Sequence, residues 1–399
     1  MSWQALHLGD VVRLKRGHDL PSAARVPGDV PIVSSSGITG YHNAAKVAGP
    51  GVVTGRYGTL GDVHYIEGDY WPLNTALYVE DFKGNHPRFV AYLLMTLELG
   101  SQNAAGAVPG LNRNTLHQIS VRIPDFDTQR RIAAVLSTYD DLIGINQRRI
   151  ALLEDAARRL YHEWFVQLRY PGHELVSVKN GLPEGWQVKS LGSICDSVDG
   201  ALVQTGPFGS QLHQHDYTEE GIPVVMPQDI VSDRIRLDKI AYVDEQTANR
   251  LARHRLKLLD IVVPRRGDIS KRAIVEPHQE GYLCGTGCLK ISLPFEPLHP
   301  VLLYFQLADP VMVKWIEGQA VGTTMLNLSG KILRSVECLV PAIEVQQHFV
   351  TCVGDLRLQA STLEAQNIQL TQARDLLLPK LISGQLDVSG IPQPDEVVA

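Results

Sequence analysis

Eight cations fall within the 23 residues from Arg250 to Arg272: Arg250, Arg253, Arg255, Lys257, Arg265, Arg266, Lys271 and Arg272. A cluster of that density suits anion binding, and its plain alternative is a solvated basic face. Arg265 also belongs to a second pattern, because it follows the run Ile261-Val-Val-Pro264 and stands two residues before Gly267. Arg56 is placed in the same way, after Val52-Val-Thr-Gly55 and before Gly58. A strand leading into an Arg-x-Gly turn carries a guanidinium to a loop whose glycine permits a tight backbone path. The net charge of −6 argues against a nucleic-acid partner at first sight, but part of the acid excess sits in residues 341–399, away from these turns.

Catalytic constellations are missing from the sequence. It contains no Gly-x-x-x-x-Gly-Lys-Ser/Thr phosphate loop and no Gly-x-Ser-x-Gly nucleophile elbow. Gly285-Thr-Gly-Cys-Leu-Lys290 lacks the third glycine and following helix of a dinucleotide fold. No two prolines are adjacent, which excludes the Asn/Asp-Pro-Pro-aromatic tetrapeptide of adenine methyltransferases. Cys284 and Cys288, with His213 and His215, have the wrong spacing for a zinc site, and buried thiols are the better reading. We expect no catalytic residues and no metal ligands in this chain.

The elements that must position the turns come in duplicate. Trp3-Gln4 followed by Leu8-Gly9 returns as Trp186-Gln187 followed by Leu191-Gly192. Pro31-Ile-Val33 returns as Pro223-Val-Val225, Asn74-Thr-Ala as Gly285-Thr-Gly, and the amphipathic segment from Phe89 to Met95 as Pro300 to Phe305. Gly106 to Asn112 is matched to Val321 to Asn327, each ahead of a strand, 119–123 or 336–340. A proline-led entry then opens a long helix, Gln129 to Leu168 in the first copy and Gln346 to Leu386 in the second. Leu356, Leu363, Leu370 and Leu377 recur every seventh residue, with Ala360, Asn367, Arg374 and Leu381 at the offset positions. Tyr139, Ile143, Asn146, Ile150, Leu153, Ala157, Leu160 and Trp164 hold the same register about 217 residues earlier. Forty residues of helix reach ~60 Å, more than such a domain buries, so the two helices should pair with each other. Chain direction makes that pairing antiparallel, and Pro379 should end or kink the second helix. The second copy is the longer, chiefly through residues 204–256.

The fold expected is therefore α+β: two mixed α/β domains in tandem, each followed by a long helix, the helices pairing as an antiparallel coiled coil. The boundaries expected are 1–125 and 171–341 for the domains, 126–170 and 342–388 for the spacer helices, and 389–399 for a flexible tail. Apolar content of 44% and charged content of 20% suit folded domains. The N-terminus lacks a basic, then apolar, secretory signal, and no run approaches the ~18 apolar residues of a membrane span. Five cysteines make no disulfide framework, so a cytoplasmic location is expected.

This duplicated order, with the ending Leu377-Leu-Pro-Lys-Leu-Ile-Ser-Gly-Gln-Leu386, resembles the specificity subunits of type I restriction-modification enzymes across residues 3–388. Pro31-Ile-Val-Ser-Ser-Ser-Gly-Ile-Thr-Gly-Tyr-His-Asn43 and both Arg-x-Gly turns fit the same family. The resemblance implies a non-catalytic subunit that reads a bipartite, asymmetric site in double-stranded DNA through two target-recognition domains. It also implies a scaffold for two methylation subunits and for restriction subunits that cleave and translocate. No cofactor is expected on this chain, while S-adenosylmethionine, ATP and Mg are expected in the partner subunits, and no membrane is involved.

On that reading the candidate DNA contacts in the first domain are Ser35, Ser36, Tyr41, Arg56, Tyr57, Asn112, Arg113 and Asn114. In the second they are Gln204, Gln211, Gln228, Arg265, Arg266, Lys271, Arg272, Thr323, Thr324 and Asn327. Arg, Asn and Gln can read purines bidentately, whereas Lys, Ser and Thr more often hold phosphate. For each of them an ordinary exposed loop residue is the plain alternative. The other classes left open are an enzyme with an unrecognised site, a subunit of a related bipartite-site methyltransferase or nuclease, and a coiled-coil scaffold that does not read DNA.

Overall fold

The computed structural model describes residues 3–102, 110–320 and 326–391. Two compact units divide the chain, Met1–Ile150 with Ser361–Ala399, and Ala151–Ala360. The first long helix, Phe126–Tyr161, and the second, Ile343–Ile382, both pass from one unit into the other. Each unit is therefore an α/β domain with a part of both helices.

In the first unit an antiparallel sheet runs in the order Arg13–Arg16, Ala76–Asp81, Gly51–Gly55, Val63–Ile66. A smaller sheet places Val30–Ser34 between Gly37–His42 and Trp71–Pro72, the last pair being parallel. The second unit repeats this plan. Leu202–Thr205, Cys288–Ser292, Ile261–Pro264 and Ala273–Ile274 form the antiparallel sheet. Ile222–Val225 pairs in parallel with Leu283–Cys284, as Val30–Ser34 does with Trp71–Pro72. The inner strands Gly51–Gly55 and Ile261–Pro264 are buried at every residue, which explains their β-branched runs Val52-Val-Thr54 and Ile261-Val-Val263. The longer segment of the second unit adds strands Tyr217–Thr218 and Ala241–Val243 and the hairpin Ile230–Val231/Arg234–Ile235.

The helix entries are copied to the level of single hydrogen bonds. Gln129 is buried at 2% exposure; its Nε2 donates to the Pro124 and Asn85 oxygens, and its Oε1 accepts from the His86 amide at 2.9 Å. Gln346, at 1%, donates to the Pro341 and Pro297 carbonyls and accepts from the His299 amide, also at 2.9 Å. His86 and His299 in turn cap short helices that begin with proline, Pro87–Met95 and Pro300–Ala308. A buried amide in water-free surroundings needs every partner it has here. Leu8 and Leu191 close the frame with equivalent bonds, their amides donating to the Ile119 and Val336 carbonyls at 2.8 Å in both copies.

All sixteen seam residues anticipated from the heptads are buried or half-buried. Within the first unit the polar seam positions meet polar partners across the helix pair: Asn146 Nδ2 donates to Asn367 Oδ1 at 3.0 Å, and Arg374 Nη1 bonds Asp140 at 2.7 Å. The ascending numbers of one helix face descending numbers of the other, so the pair is antiparallel. In the second unit the same pair is sealed by rings, with Phe165 and Phe349 at 4.9 Å and Phe305 and Phe349 at 5.6 Å. Truncating Phe349, which is fully buried, would cost about 3–5 kcal/mol.

The helix ends depart from expectation. The first helix stops at Tyr161 and continues as a wider π turn over His162–Val166. Pro379 does not end the second helix, which runs on to Ile382. Proline in a last turn removes only one amide, and the helix ends instead just before Gly384, with φ of +77° and packed against the Trp3 indole. Of the anticipated tail, residues 392–399 lie outside the described residues.

Candidate nucleic-acid interface

In the first unit the turn after Gly51–Gly55 is built by its neighbours. The amides of Arg56 and Tyr57 donate to the Thr75 carbonyl at 2.9 and 3.1 Å, and the Arg56 carbonyl accepts from the Leu111 amide at 2.9 Å. Tyr57 forms a lone antiparallel bridge with Gly110, where a Cβ would sit 2.5 Å from the tyrosine ring. Gly58 has φ of +80°, a conformation that excludes most side chains at the turn. Above this base the Arg56 guanidinium lies 4.5 Å from the Tyr57 ring centre, and that ring is 39% exposed. Ser35 reaches the turn from the Val30–Ser34 hairpin, within 3.4 Å of where a Gly58 Cβ would be. Ser36, Arg113 and Asn114 are exposed nearby in sequence, and Tyr41 is 56% exposed at the other end of its strand.

Several candidates are occupied by the fold. Ser35 is buried at 9% and its carbonyl faces His64, so it supports the turn and is not a surface contact. Asn112 caps the helix Arg113–His117, its side chain accepting from the Asn114 amide at 2.9 Å. That cap also corrects the alignment of the two copies. Leu111 and Leu328 donate to the Arg56 and Arg265 carbonyls, so the structural partner of Asn112 is Ser329, the cap of Gly330–Arg334, and not Asn327.

The second unit reproduces the turn. The Arg265 amide donates to the Gly287 carbonyl at 2.6 Å, its carbonyl accepts from Leu328 at 2.8 Å, and Arg266 bridges Asn327. Gly267 has φ of +80°, as Gly58 does. The stacked aromatic comes from elsewhere: the Arg265 guanidinium lies 5.6 Å from the ring centre of Phe208, which is 51% exposed. Arg265 Nε and Asn327 Oδ1 are buried without a hydrogen-bond partner among the described residues. Gln228 is exposed on the turn Pro227–Asp229, and Pro227 lies 3.3 Å from where a Cβ on Gly287 would be.

Burial removes Arg272 from the contacts. It is 8% exposed, bonded to Asp233 at 3.0 Å and to the Ser270 carbonyl, and stacked on Tyr304 opposite Arg357. Lys271 pairs loosely with Asp268 at 3.8 Å. Gln204 faces the buried His254, and Gln211 accepts from the exposed Arg253. Thr323 and Thr324 lie outside the described residues. Cys284 and Cys288 are buried, and burial pushes the Cys284 thiol up to about 12, far from a metal-ligating thiolate. Sequence reasoning missed Phe208, whose signal was an aromatic flanked by glycine and proline in Gly206-Pro-Phe-Gly209.

The comparisons with known proteins agree with this duplicated plan. Residues 1–155 match the model of the type I restriction modification DNA specificity domain. The MjaIX specificity subunit of Methanocaldococcus jannaschii is 25% identical over 289 residues, covering 70% of this chain and 63% of that protein. The HindI specificity subunit of Haemophilus influenzae is 21% identical over 366 residues, covering 75% and 77%. The crystal structure of a type I restriction-modification S subunit from M. genitalium superposes with a TM-score of 0.59 at 15% identity, covering 95% of this chain and 96% of that one, and so shares the fold. With the specificity domain matched in its first half and the same frame rebuilt in its second, the chain is similar to type I restriction-modification specificity subunits over both halves.

Proposed function

We propose that this chain reads DNA for a type I restriction-modification system and catalyses nothing by itself. Each α/β domain takes one half of a bipartite, asymmetric site, and the paired helices carry the methylation and restriction subunits. The observation that supports this most is the repeated Arg-x-Gly turn. In each unit one arginine is tied down by its backbone, stacked on a half-exposed aromatic, and left with donors to spend on a partner. A planar, pre-oriented guanidinium suits guanine O6/N7 or a phosphate, and the loops around the two turns differ as two unlike half-sites require. Exposed apolar residues on the helices, such as Leu152 at 69% in one unit and Leu376 at 67% in the other, suit docking of further subunits. S-adenosylmethionine, ATP and Mg belong, on this reading, to those subunits. No helix among the described residues is long and apolar enough to cross a membrane, and we place the complex in the cytoplasm.

The test is co-expression with the methylation subunit of the same system, followed by mapping of N6-methyladenine in host DNA. A split, asymmetric motif is expected. Methylation that appears without this chain, or in no defined motif, would overturn the proposal.

A further inference from the structure

The longer segment of the second unit ends in a polar array that the Arg-x-Gly turn does not use. His254 is buried at 1% exposure, yet it neighbours Arg253, which is exposed. Arg253 Nε donates to His254 Nε2 at 3.0 Å, and Arg253 Nη2 donates to Gln211 Oε1 at 3.4 Å. The far nitrogen of the ring, Nδ1, faces the Gln204 side-chain amide at 3.3 Å. A guanidinium only donates, so His254 must offer a lone pair at Nε2. Burial, helped by Arg253 and Lys290, pushes the His254 pKa down to about 4, which keeps that lone pair available at neutral pH.

These bonds consume one edge of the guanidinium, the Nε/Nη2 side. The end-on pair, Nη1 with the second proton of Nη2, has no partner among the described residues. Arg253 also makes no ion pair there, unlike its neighbour Arg250, which is bound to Asp216 at 2.8 Å and to the Gln211 carbonyl at 2.6 Å. Gln211 links the array to the turn already described: its Oε1 accepts from the Phe208 amide at 3.2 Å, and the Phe208 ring carries Arg265. Two oriented guanidiniums, Arg253 and Arg265, thus share one support.

We propose that Arg253 is a DNA-contacting residue of the second recognition domain, with His254 and Gln211 as positioning residues that aim its free edge. The ligand is a pair of oxygen or nitrogen acceptors on duplex DNA, either two phosphate oxygens or guanine O6 and N7. This assignment rests on the DNA-reading function proposed above. An exposed arginine normally loses several rotamers on binding, and one already fixed by two hydrogen bonds gives up less.

The experiment uses the purified complex of this chain with its methylation subunit. Binding to duplexes carrying the mapped motif is followed from about 50 to 200 mM salt. Arg253→Ala should weaken binding ~5- to 100-fold, the loss expected for one such contact. A phosphate partner is indicated if the salt slope falls by about 1 and Arg253→Lys restores most of the affinity. A guanine partner is indicated if the motif relaxes at one position of a single half and lysine does not restore it. His254→Leu should weaken binding in the natural chain and have no further effect in the Arg253→Ala background, whereas Gln211→Ala, which also loosens Phe208 beneath Arg265, should keep only part of its effect there. Additive losses would overturn the positioning roles, and Gln211→Ala answers that question if His254→Leu fails to fold. Arg253→Ala with unchanged affinity, salt slope and motif would overturn the proposal while leaving the DNA-reading function intact. An unaltered complex that prefers no duplex would overturn both.

Discussion

The two Arg-x-Gly turns share a backbone and differ in how the arginine is held. Arg56 lies on the ring of the next residue, Tyr57, whereas Arg265 lies on Phe208, which arrives from a loop 57 positions earlier. Tyr57 is fixed by its bridge to Gly110; Phe208 is fixed through Gln211 and, beyond it, Arg253 and His254. One solution is local and compact, and the other is assembled from a segment that the first unit lacks. The lesson is that the frame conserves the position of a guanidinium, while the surrounding chain is free to choose its support. Under the proposed function, that freedom is what would let one scaffold read two different half-sites.

The sharpest way to break this comparison is to exchange one of its members. Replacing residues 186–338, which lie within the second unit, by the matching domain of another family member should change one half of the methylated motif and leave the other. If both halves change in an assembled complex, the units do not read independently.

Next in size is the buried glutamine that the two copies share. Gln129→Ala and Gln346→Ala each strand buried hydrogen-bonding groups, and each should cost about 2–4 kcal/mol of stability. Thermal or urea unfolding of the two variants checks whether the entries are equivalent; a difference greater than ~1 kcal/mol would mean that the copies have diverged in energy while keeping their geometry.

Smaller effects should separate the turns. Arg265→Ala is expected to weaken specific binding by ~1–3 kcal/mol, and Arg56→Ala by a similar amount at the other half-site. Phe208→Ala should reproduce part of the Arg265 loss without touching the half-site read by Arg56. Equal effects of Phe208→Ala on both half-sites, measured with duplexes altered in one half at a time, would contradict the separation.

The last predicted difference, the smallest per step of the variable changed, is in pH dependence. His254 has no counterpart in the first unit, and its folded pKa of about 4 lies below the ordinary value of 6.5. Its neutral form is the one the fold accepts, so its contribution is full above pH 6.5 and is lost as pH falls toward 4. Through that window the natural chain should lose up to ~1.4 kcal/mol per pH unit more than a His254→Gln variant. His86 and His299, both also lowered by burial, are common to the two copies and to both proteins compared. Parallel unfolding curves for the natural and variant chains between pH 6.5 and 4 would rule the effect out.

What the sequence determined by itself was everything carried by local spacing. The seven-residue repeat placed the seam from Tyr139 to Trp164 and from Leu356 to Leu381, because helical periodicity depends only on neighbours three and four residues away. The duplicated order of Trp, Pro, Arg-x-Gly and helix-entry Gln announced two copies of one frame, and with it the resemblance to specificity subunits. Tertiary structure alone decided which polar side chains reach solvent. Arg272, Gln204 and Gln211 look like loop contacts in one dimension, and they are claimed by Asp233, His254 and Arg253 from distant parts of the chain. It also decided that Asn367 and Arg374, polar where a seam wants apolar groups, find Asn146 and Asp140 across the helix pair. Pairing of this kind is set by where two segments meet in space. A buried polar group is stabilised only by a partner at hydrogen-bond distance, and no spacing along the chain specifies that partner.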